Sequence, residues 1–494
     1  MTTDVRDVTS LPVGERGRPA NTVAPVTFPY DGSQIGSAPV GTVDDATAAV
    51  DAALGGRAAL ADAPTRIRRE VLRAVRNAVA DRQREFEDVL VLETGKPLAD
   101  CAMEVTRTLV TLDASIEEAA RIHGETVPLD LLPAGDGLLG FWTRKPIGVV
   151  VAIAGFNYPL MLAAHKVGPA LAAGCPVIVK PAPATPLATL KFVDMLREAA
   201  AAVGLPRAVV QAVTGDAEVG AALTTDSRIG AVSFTGSAAV GHEIAKSAAP
   251  TKVLLELGSN AALIVAADAD LDAAAAAVAR GGFYASGQAC ISVQRVLVAA
   301  SVREPFLERL AAAIDAIVVG DPRDPSTQIA ALIDDTARAR VRDWVDAAVR
   351  GGATRLRPRD VDDDIDGEHR LLRPTVLLDV PDDEPAWCEE VFGPVVAVRT
   401  VPDVDTAIDQ VNASRYGLHA SIFTSSLDTA LSAYRRLEVG GVVVNDVPGF
   451  RSDTMPYGGV KDSGIGREGP RFAAEEFTVT RMAIIRGSTG GSHA

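Results

Sequence analysis

An amide, a carboxylate and a thiol occur along this chain in settings where together they could perform chemistry on a carbonyl group. Cys290 lies in Gly287-Gln288-Ala289-Cys290-Ile291, where an exposed thiol can attack a carbonyl carbon. Glu256 ends an apolar run in Leu255-Glu256-Leu257-Gly258 and is a candidate general base. Asn157, in Gly155-Phe156-Asn157-Tyr158-Pro159, adds N–H donors of the kind that stabilise an oxyanion. Lys180 stands between amide and carboxylate in Val179-Lys180-Pro181. A free thiol ionises near pH ~8.5, so such a site must activate its cysteine by a base, a helix dipole or a neighbouring charge.

At these residues the sequence resembles the aldehyde dehydrogenase superfamily. The intervals separating Asn157, Lys180, Glu256 and Cys290 match that family's pattern. The likeness runs from Glu93-Thr94-Gly95-Lys96-Pro97 to Lys461-Asp462-Ser463-Gly464-Ile465-Gly466-Arg467-Glu468. It implies that Cys290 converts a small-molecule aldehyde into a thiohemiacetal, that NAD or NADP accepts the hydride, and that Glu256 activates water to release an acid from the thioester. Asn157 and the Cys290 backbone N–H would hold the oxyanion. The resemblance also places Lys180 at the adenosine ribose and Glu390, in Glu389-Glu390-Val391-Phe392-Gly393-Pro394, at the nicotinamide ribose with Phe392 nearby.

The chain departs from the family pattern at two positions. Members favouring NAD commonly carry a glutamate three residues after the lysine, where it bonds the ribose hydroxyls and repels a 2′-phosphate. Pro183 stands there and does neither, which leaves both nucleotides open. Ser259 replaces a glycine beside a glutamate that moves between positions in this family, so its Cβ is expected to restrict that backbone.

Residues 288–295 and 445–451 resemble the branch containing lactaldehyde, non-phosphorylating glyceraldehyde-3-phosphate and phosphonoacetaldehyde dehydrogenases. Those substrates are small and polar, and often anionic. Arg107 and Arg451 are candidate readers of an acidic tail, because guanidinium offers a two-pronged match to carboxylate or phosphonate; a solvent-facing role is the competing reading for each. Tyr158 and Phe450 match positions at the aldehyde entrance. Phosphonoacetaldehyde members use a histidine just after the asparagine and an arginine just before the cysteine, and here Tyr158 and Ala289 stand instead. A CoA-acylating dehydrogenase and a non-catalytic binding or structural homologue are the alternative functions. Acylating members generally lack the water-activating glutamate.

Positioning such a site requires an α/β scaffold. Continuously apolar runs at 149–153, 177–179, 209–213, 231–234 and 253–257 read as strands buried on both faces of a parallel sheet. Segments 160–173 and 186–203 are long enough for the crossover helices that parallel strands need. Ile67, Val71, Val75 and Val79 mark an earlier amphipathic helix, and 271–280 marks an alanine-rich one before Cys290. Phe234-Thr235-Gly236-Ser237-Ala238-Ala239-Val240-Gly241 follows a strand and opens a helix, so Gly236, Ser237 and Gly241 are candidates for a pyrophosphate cradle with free backbone N–H groups. The expected architecture is a doubly wound cofactor-binding domain (1–126 and 148–257), an α/β catalytic domain (258–473) and a small β oligomerisation element (127–147 and 474–494). The first thirty or so residues read as an irregular arm, 357–370 as a solvated loop and 487–494 as a mobile tail. Residues 476–480 read as a strand without a local partner, which in the family pairs with another subunit of a homodimer or homotetramer.

Composition narrows the function classes. A net charge of −16 argues against a nucleic-acid partner, since such proteins concentrate positive charge on one face. The four cysteines show no CxxC pairing, so neither a disulfide framework nor a metal site is expected. Cys101, Cys175 and Cys388 read as small buried hydrophobes, and His165 as a helix residue with a structural hydrogen bond. No signal peptide is apparent, and no apolar run approaches the roughly 18 residues of a membrane span. A cytoplasmic enzyme without a membrane partner is the expectation.

Overall fold

A strand with no polar alternation must be covered on both sides. In the computed structural model, which describes residues 7–357 and 369–487, this requirement organises the first half of the chain. Strands Val149–Ile153, Val177–Lys180, Val210–Ala212, Ile229–Thr235 and Lys252–Glu256 pair in parallel. Val150 and Ala152 pack into one core with helices Pro159–Ala173 and Leu187–Ala202. Val149, Val151 and Ile153 pack into the opposite core with helices Val43–Ala61, Ala217–Thr224 and Ala238–Ser247. The sheet is doubly wound.

Its strand order places Val149–Ile153 between Ile229–Thr235 and Val177–Lys180. The winding therefore reverses direction between Val149–Ile153 and Ile229–Thr235. Loops at the carboxyl ends of two strands diverge at such a reversal and leave a crevice. The loops concerned hold Gly155, Phe156 and Asn157 on one side, and Gly236 and Ser237 on the other.

A second sheet of seven strands runs in the order Thr354–Arg355, Thr375–Leu378, Val395–Val401, Arg295–Ala299, Ala262–Val265, His419–Phe423 and Gly441–Val444. Only Thr354–Arg355 is antiparallel. Alternate residues again serve two cores, Ala262 and Ile264 one and Leu263 and Val265 the other. Late in the chain, Gly464–Ile465 returns to the first sheet and pairs antiparallel with Leu255 and Glu256. Among the described residues no helix is long and apolar enough to cross a membrane.

Three expectations need correction. The N-terminal arm contains antiparallel pairs, Ser10–Leu11 with Arg18–Pro19 and Thr22–Thr27 with Gln34–Val40. Only Val26 is buried along Thr22–Thr27, so no alternation showed. The segment 476–480 does have a partner within the chain: Thr478–Arg486 pairs over its length with Leu138–Pro146, while Glu476 ends the helix Pro470–Glu476. That partner is remote in sequence, and the exposure of Val479, Met482, Ile484 and Ile485 gave no buried face to read. Cys388 is half-buried at the end of the short helix Pro385–Cys388, whereas Cys101 and Cys175 are buried. Of the solvated loop and the tail, residues 358–368 and 488–494 lie outside the described residues.

The crossover helices after Asn157 and Lys180 begin without a side-chain cap of their own. Their N–H groups are satisfied from elsewhere. Glu104 accepts from Leu160 N at 2.9 Å and Met161 N at 3.2 Å, and Glu93 accepts from Leu187 N at 2.8 Å and Ala188 N at 3.1 Å. Glu104 also pairs with Lys96 at 2.5 Å, both groups fully buried. Removing one partner of a buried pair leaves an uncompensated charge. We expect Glu104→Gln to lower stability by about 3–5 kcal/mol in chemical denaturation, with Lys96→Met restoring part of the loss in the double variant.

Candidate active site

A cleft opens where the winding reverses. Asn157, Glu256 and Cys290 line it together, with Gly236, Ser237, Glu390, Phe392, Arg107, Tyr158 and Arg451. Lys180, Gly241 and Phe450 are not on its wall. Lys180 is buried at the end of the adjacent strand, where its Nζ donates to the Gly215 carbonyl at 2.7 Å. A Cβ at Gly241 would lie 2.2 Å from Leu257 Cδ2, so this glycine lets its helix pack against the segment after Glu256. Phe450 is 54% exposed.

The loop that carries Cys290 is forced into an unusual path. Ala285, Ser286 and Gly287 follow one another with φ of 49°, 58° and 73°. Left-handed backbone costs an ordinary residue about 1–2 kcal/mol, so contacts must hold it. Asp100 accepts from Ala285 N at 2.9 Å, and Ser286 Oγ donates to Ala330 O at 2.9 Å. A Cβ at Gly287 would sit 2.0 Å from Gly393 O, in the segment that also carries Glu390 and Phe392. Asn157 Nδ2 donates to Gln288 O at 2.9 Å, tying the amide to the cysteine loop. An amide has two N–H donors, so one remains for an oxyanion.

Cys290 Sγ lies 3.3 Å from Tyr457 Oη. Burial pushes the thiol up to about 12, and Glu390 and Glu256 add to that effect. Glu256 is itself raised well above the carboxylate range, by burial first and then by the charge of Glu468. Its buried Oε2 has no hydrogen-bond partner. Burial also opposes the charge of Glu468, but Lys166 at 2.6 Å and Arg451 at 3.3 Å hold it down to about 2. The two neighbouring carboxylates therefore differ: Glu468 keeps its charge, and Glu256 is suited to taking a proton.

Both candidate tail-binding arginines face the carboxylate of Asp453. Arg107 Nη2 and Nε donate to its two oxygens at 2.7 and 3.1 Å, and Arg451 Nε lies 3.8 Å away. His165 Nε2 lies 3.1 Å from Asp453 Oδ1, and burial together with Arg451 lowers the imidazole to about 4. It is thus a neutral structural partner in the helix Pro159–Ala173.

The wall facing the sheet has features that suit a dinucleotide. Glu390, which burial pushes up to about 7, accepts from Ser259 N at 2.9 Å, and Phe392 meets Phe156 edge-on at 5.7 Å. At Gly258 a Cβ would lie 2.6 Å from Glu390 Oε2. A Cβ at 258 would thus push on the Glu390 carboxylate, while Ser259 acts through its N–H. One expectation about the phosphate cradle changes. Gly236 N already donates to Glu256 O at 3.0 Å, and Ser237 Oγ caps Val240 N at 3.4 Å. The donors without a helix partner are then the N–H groups at the start of helix Ala238–Ser247. Among the described residues no group of three or more His, Cys, Asp or Glu could hold a metal ion.

A model of the aldehyde dehydrogenase family matches residues 17–483. The chain belongs to the aldehyde dehydrogenase family. It is 43% identical over 419 residues to a 3-sulfolactaldehyde dehydrogenase of Priestia aryabhattai, covering 85% of this chain and 86% of the relative. It is 32% identical to a lactaldehyde dehydrogenase of Methanococcus aeolicus, covering 93% and 96%. Among solved structures, a glyceraldehyde-3-phosphate dehydrogenase of Methanocaldococcus jannaschii complexed with NADP superposes with a TM-score of 0.89 at 33% identity, covering 94% of this chain and 100% of the other. The protein is an NAD(P)-dependent aldehyde dehydrogenase, and its relatives include lactaldehyde and glyceraldehyde-3-phosphate dehydrogenases.

Several lining or neighbouring residues carried no sequence signal. Tyr457 and Tyr284 are isolated aromatics, and Arg340 is one of several arginines along helix Asp335–Arg350. Asp453 and Glu468 find Arg107 and Lys166 as partners hundreds of positions away in the chain. Pro183 is exposed in the turn after Lys180, and its own side chain has no carboxylate to repel a 2′-phosphate. We expect turnover with both nucleotides, and a shift toward NAD in Pro183→Glu, measured as the ratio of kcat/KM values.

Proposed function

We propose that this dehydrogenase oxidises a small polar aldehyde, preferably one with an anionic tail, to its carboxylic acid through a thiohemiacetal and a thioester on Cys290. The observation that carries this reading is the convergence on one cleft of Cys290, Asn157 and a Glu256 carboxylate with one oxygen unbonded among the described residues. Glu256 takes the thiol proton, sulfur attacks the aldehyde carbon, and the free Asn157 N–H with the Cys290 N–H receives the oxyanion. NAD(P), when bound, supplies the hydride acceptor. Lys180, Glu390, Ser237, Phe392 and the start of helix Ala238–Ser247 would hold its ribose and phosphate groups. Once the thiol proton has passed from Glu256 to solvent, this carboxylate takes a proton from the water that attacks the thioester. That carboxylate, generally missing from CoA-acylating members, favours release of the acid.

Arg107 and Arg451 supply the tail preference, and Tyr158 lies beside Arg107 on the wall. The relatives' names agree, since sulfolactaldehyde and glyceraldehyde 3-phosphate carry anionic tails. The chain divides functionally near residue 257, where the first sheet gives way to the second. Among the described residues Thr478–Arg486 pairs on one edge only, so its other edge and its exposed apolar residues are the contact for a homodimer or homotetramer.

The function is tested with a panel of aldehydes, with and without CoA, followed by product identification. Cys290→Ala should abolish oxidation while keeping nucleotide binding, and Glu256→Gln should slow deacylation in rapid-quench experiments. Turnover by the alanine variant would remove the proposed nucleophile. For the tail, replacing Arg107 should cost roughly ten- to a hundredfold in kcat/KM with anionic aldehydes, the worth of a charge-assisted hydrogen bond, and leave propanal nearly unaffected, whereas replacing Arg451, which also acts on the thiol, should lower both and the anionic aldehydes more. Equal losses for charged and neutral aldehydes in the Arg107 variant would assign that arginine to the fold.

A further inference from the structure

Tyr457 lies in Met455-Pro456-Tyr457-Gly458-Gly459, outside the motifs that define the family resemblance. Its side chain is the nearest hydrogen-bonding neighbour of the reactive thiol, with Oη 3.3 Å from Cys290 Sγ. The ring is 2% exposed and held firmly. The Arg451 guanidinium covers it at 3.7 Å, and the His419 imidazole meets it edge-on at 5.1 Å. Its backbone exchanges two hydrogen bonds with Glu468, at 3.1 and 2.7 Å. No nearby base can take the phenolic proton at neutral pH, because burial pushes this phenol well above its ordinary range. Toward a thiolate, then, Tyr457 can act only as a donor. The cation over its ring strengthens that donor by drawing electron density from the oxygen.

We propose that Tyr457 is a catalytic residue whose hydroxyl donates a hydrogen bond to the Cys290 thiolate and so sets the fraction of active nucleophile. This rests on Cys290 being the attacking group. The thiol proton goes to the Glu256 carboxylate, directly or through one water. Sulfur keeps the electron pair, and the phenolic proton stays on Tyr457. The other groups facing the thiol explain why a donor is needed. Glu390 and Glu256 both oppose a negative sulfur, and Tyr284 offers no charge, leaving Arg451 as the cation acting on it. Charge-assisted hydrogen bonds to an anion are about twice as strong as neutral ones, so losing this one raises the thiol pKa further.

The test is alkylation of Cys290 by iodoacetamide across roughly pH 6–10, read by mass mapping of the Cys290 peptide in the wild type and in Tyr457→Phe. Each pKa unit changes the thiolate fraction tenfold at neutral pH, and the higher intrinsic reactivity of the more basic thiolate returns about threefold. The expected result is alkylation about threefold slower in the variant at every pH tested, because the buried thiol ionises above this range in both proteins, with nucleotide binding retained. Superimposable profiles would overturn the proposal. So would a loss that grows when the bulkier N-ethylmaleimide replaces iodoacetamide, which is the mark of altered access. If Tyr457→Phe does not fold, Tyr457→Met, also without a hydroxyl, is read in the same way. The measurement does not depend on turnover, so it can fail while the assignment of Cys290 as nucleophile, tested by Cys290→Ala, stands.

Discussion

Everything in the site hangs on how two helix N-termini are satisfied in a dry interior. The helices after Asn157 and Lys180 expose backbone N–H groups where water does not reach, and an unsatisfied donor there costs about 1–3 kcal/mol. Glu104 and Glu93, from the preceding helical layer, supply the missing acceptors. Asp100, on the same helix as Glu104, holds the left-handed turn before Cys290. One layer of buried acids thus fixes the position of the amide, the lysine strand and the cysteine loop together. The site is aligned from behind, by residues that never enter the cleft.

The same economy governs charge within the cleft. Glu256 and Glu468 would repel each other if both were ionised, and the site resolves this by giving the cations to one of them. Lys166 and Arg451 surround Glu468, and Lys166 also donates to Thr235 at 2.7 Å. Glu256 is left buried with a free oxygen, a poor place for a charge and therefore a good place for a base. Asp453 plays the matching part on the substrate side. It orients Arg107 with a two-pronged bond and shares Arg451, so both guanidiniums enter the cleft already aligned.

The sequence by itself determined the parts whose physical reason is local. Uninterrupted apolar strands declared a parallel sheet covered on both faces, crossover lengths declared the helices, and the types and order of Asn157, Glu256 and Cys290 declared carbonyl chemistry. The reversal of winding that brings Asn157 and Gly236 to one crevice depends on strand order, which no local pattern encodes. The tertiary structure alone decided that Gly241 packs against Leu257, that the Gly236 N–H is already used, and that Phe450 stands outside the cleft wall. It alone brought Tyr457 to Cys290 and Asp453 to Arg107. Those contacts join residues hundreds of positions apart, or at no characteristic spacing. Their energies come from burial and from shared partners, and both exist only after the two sheets have closed on each other.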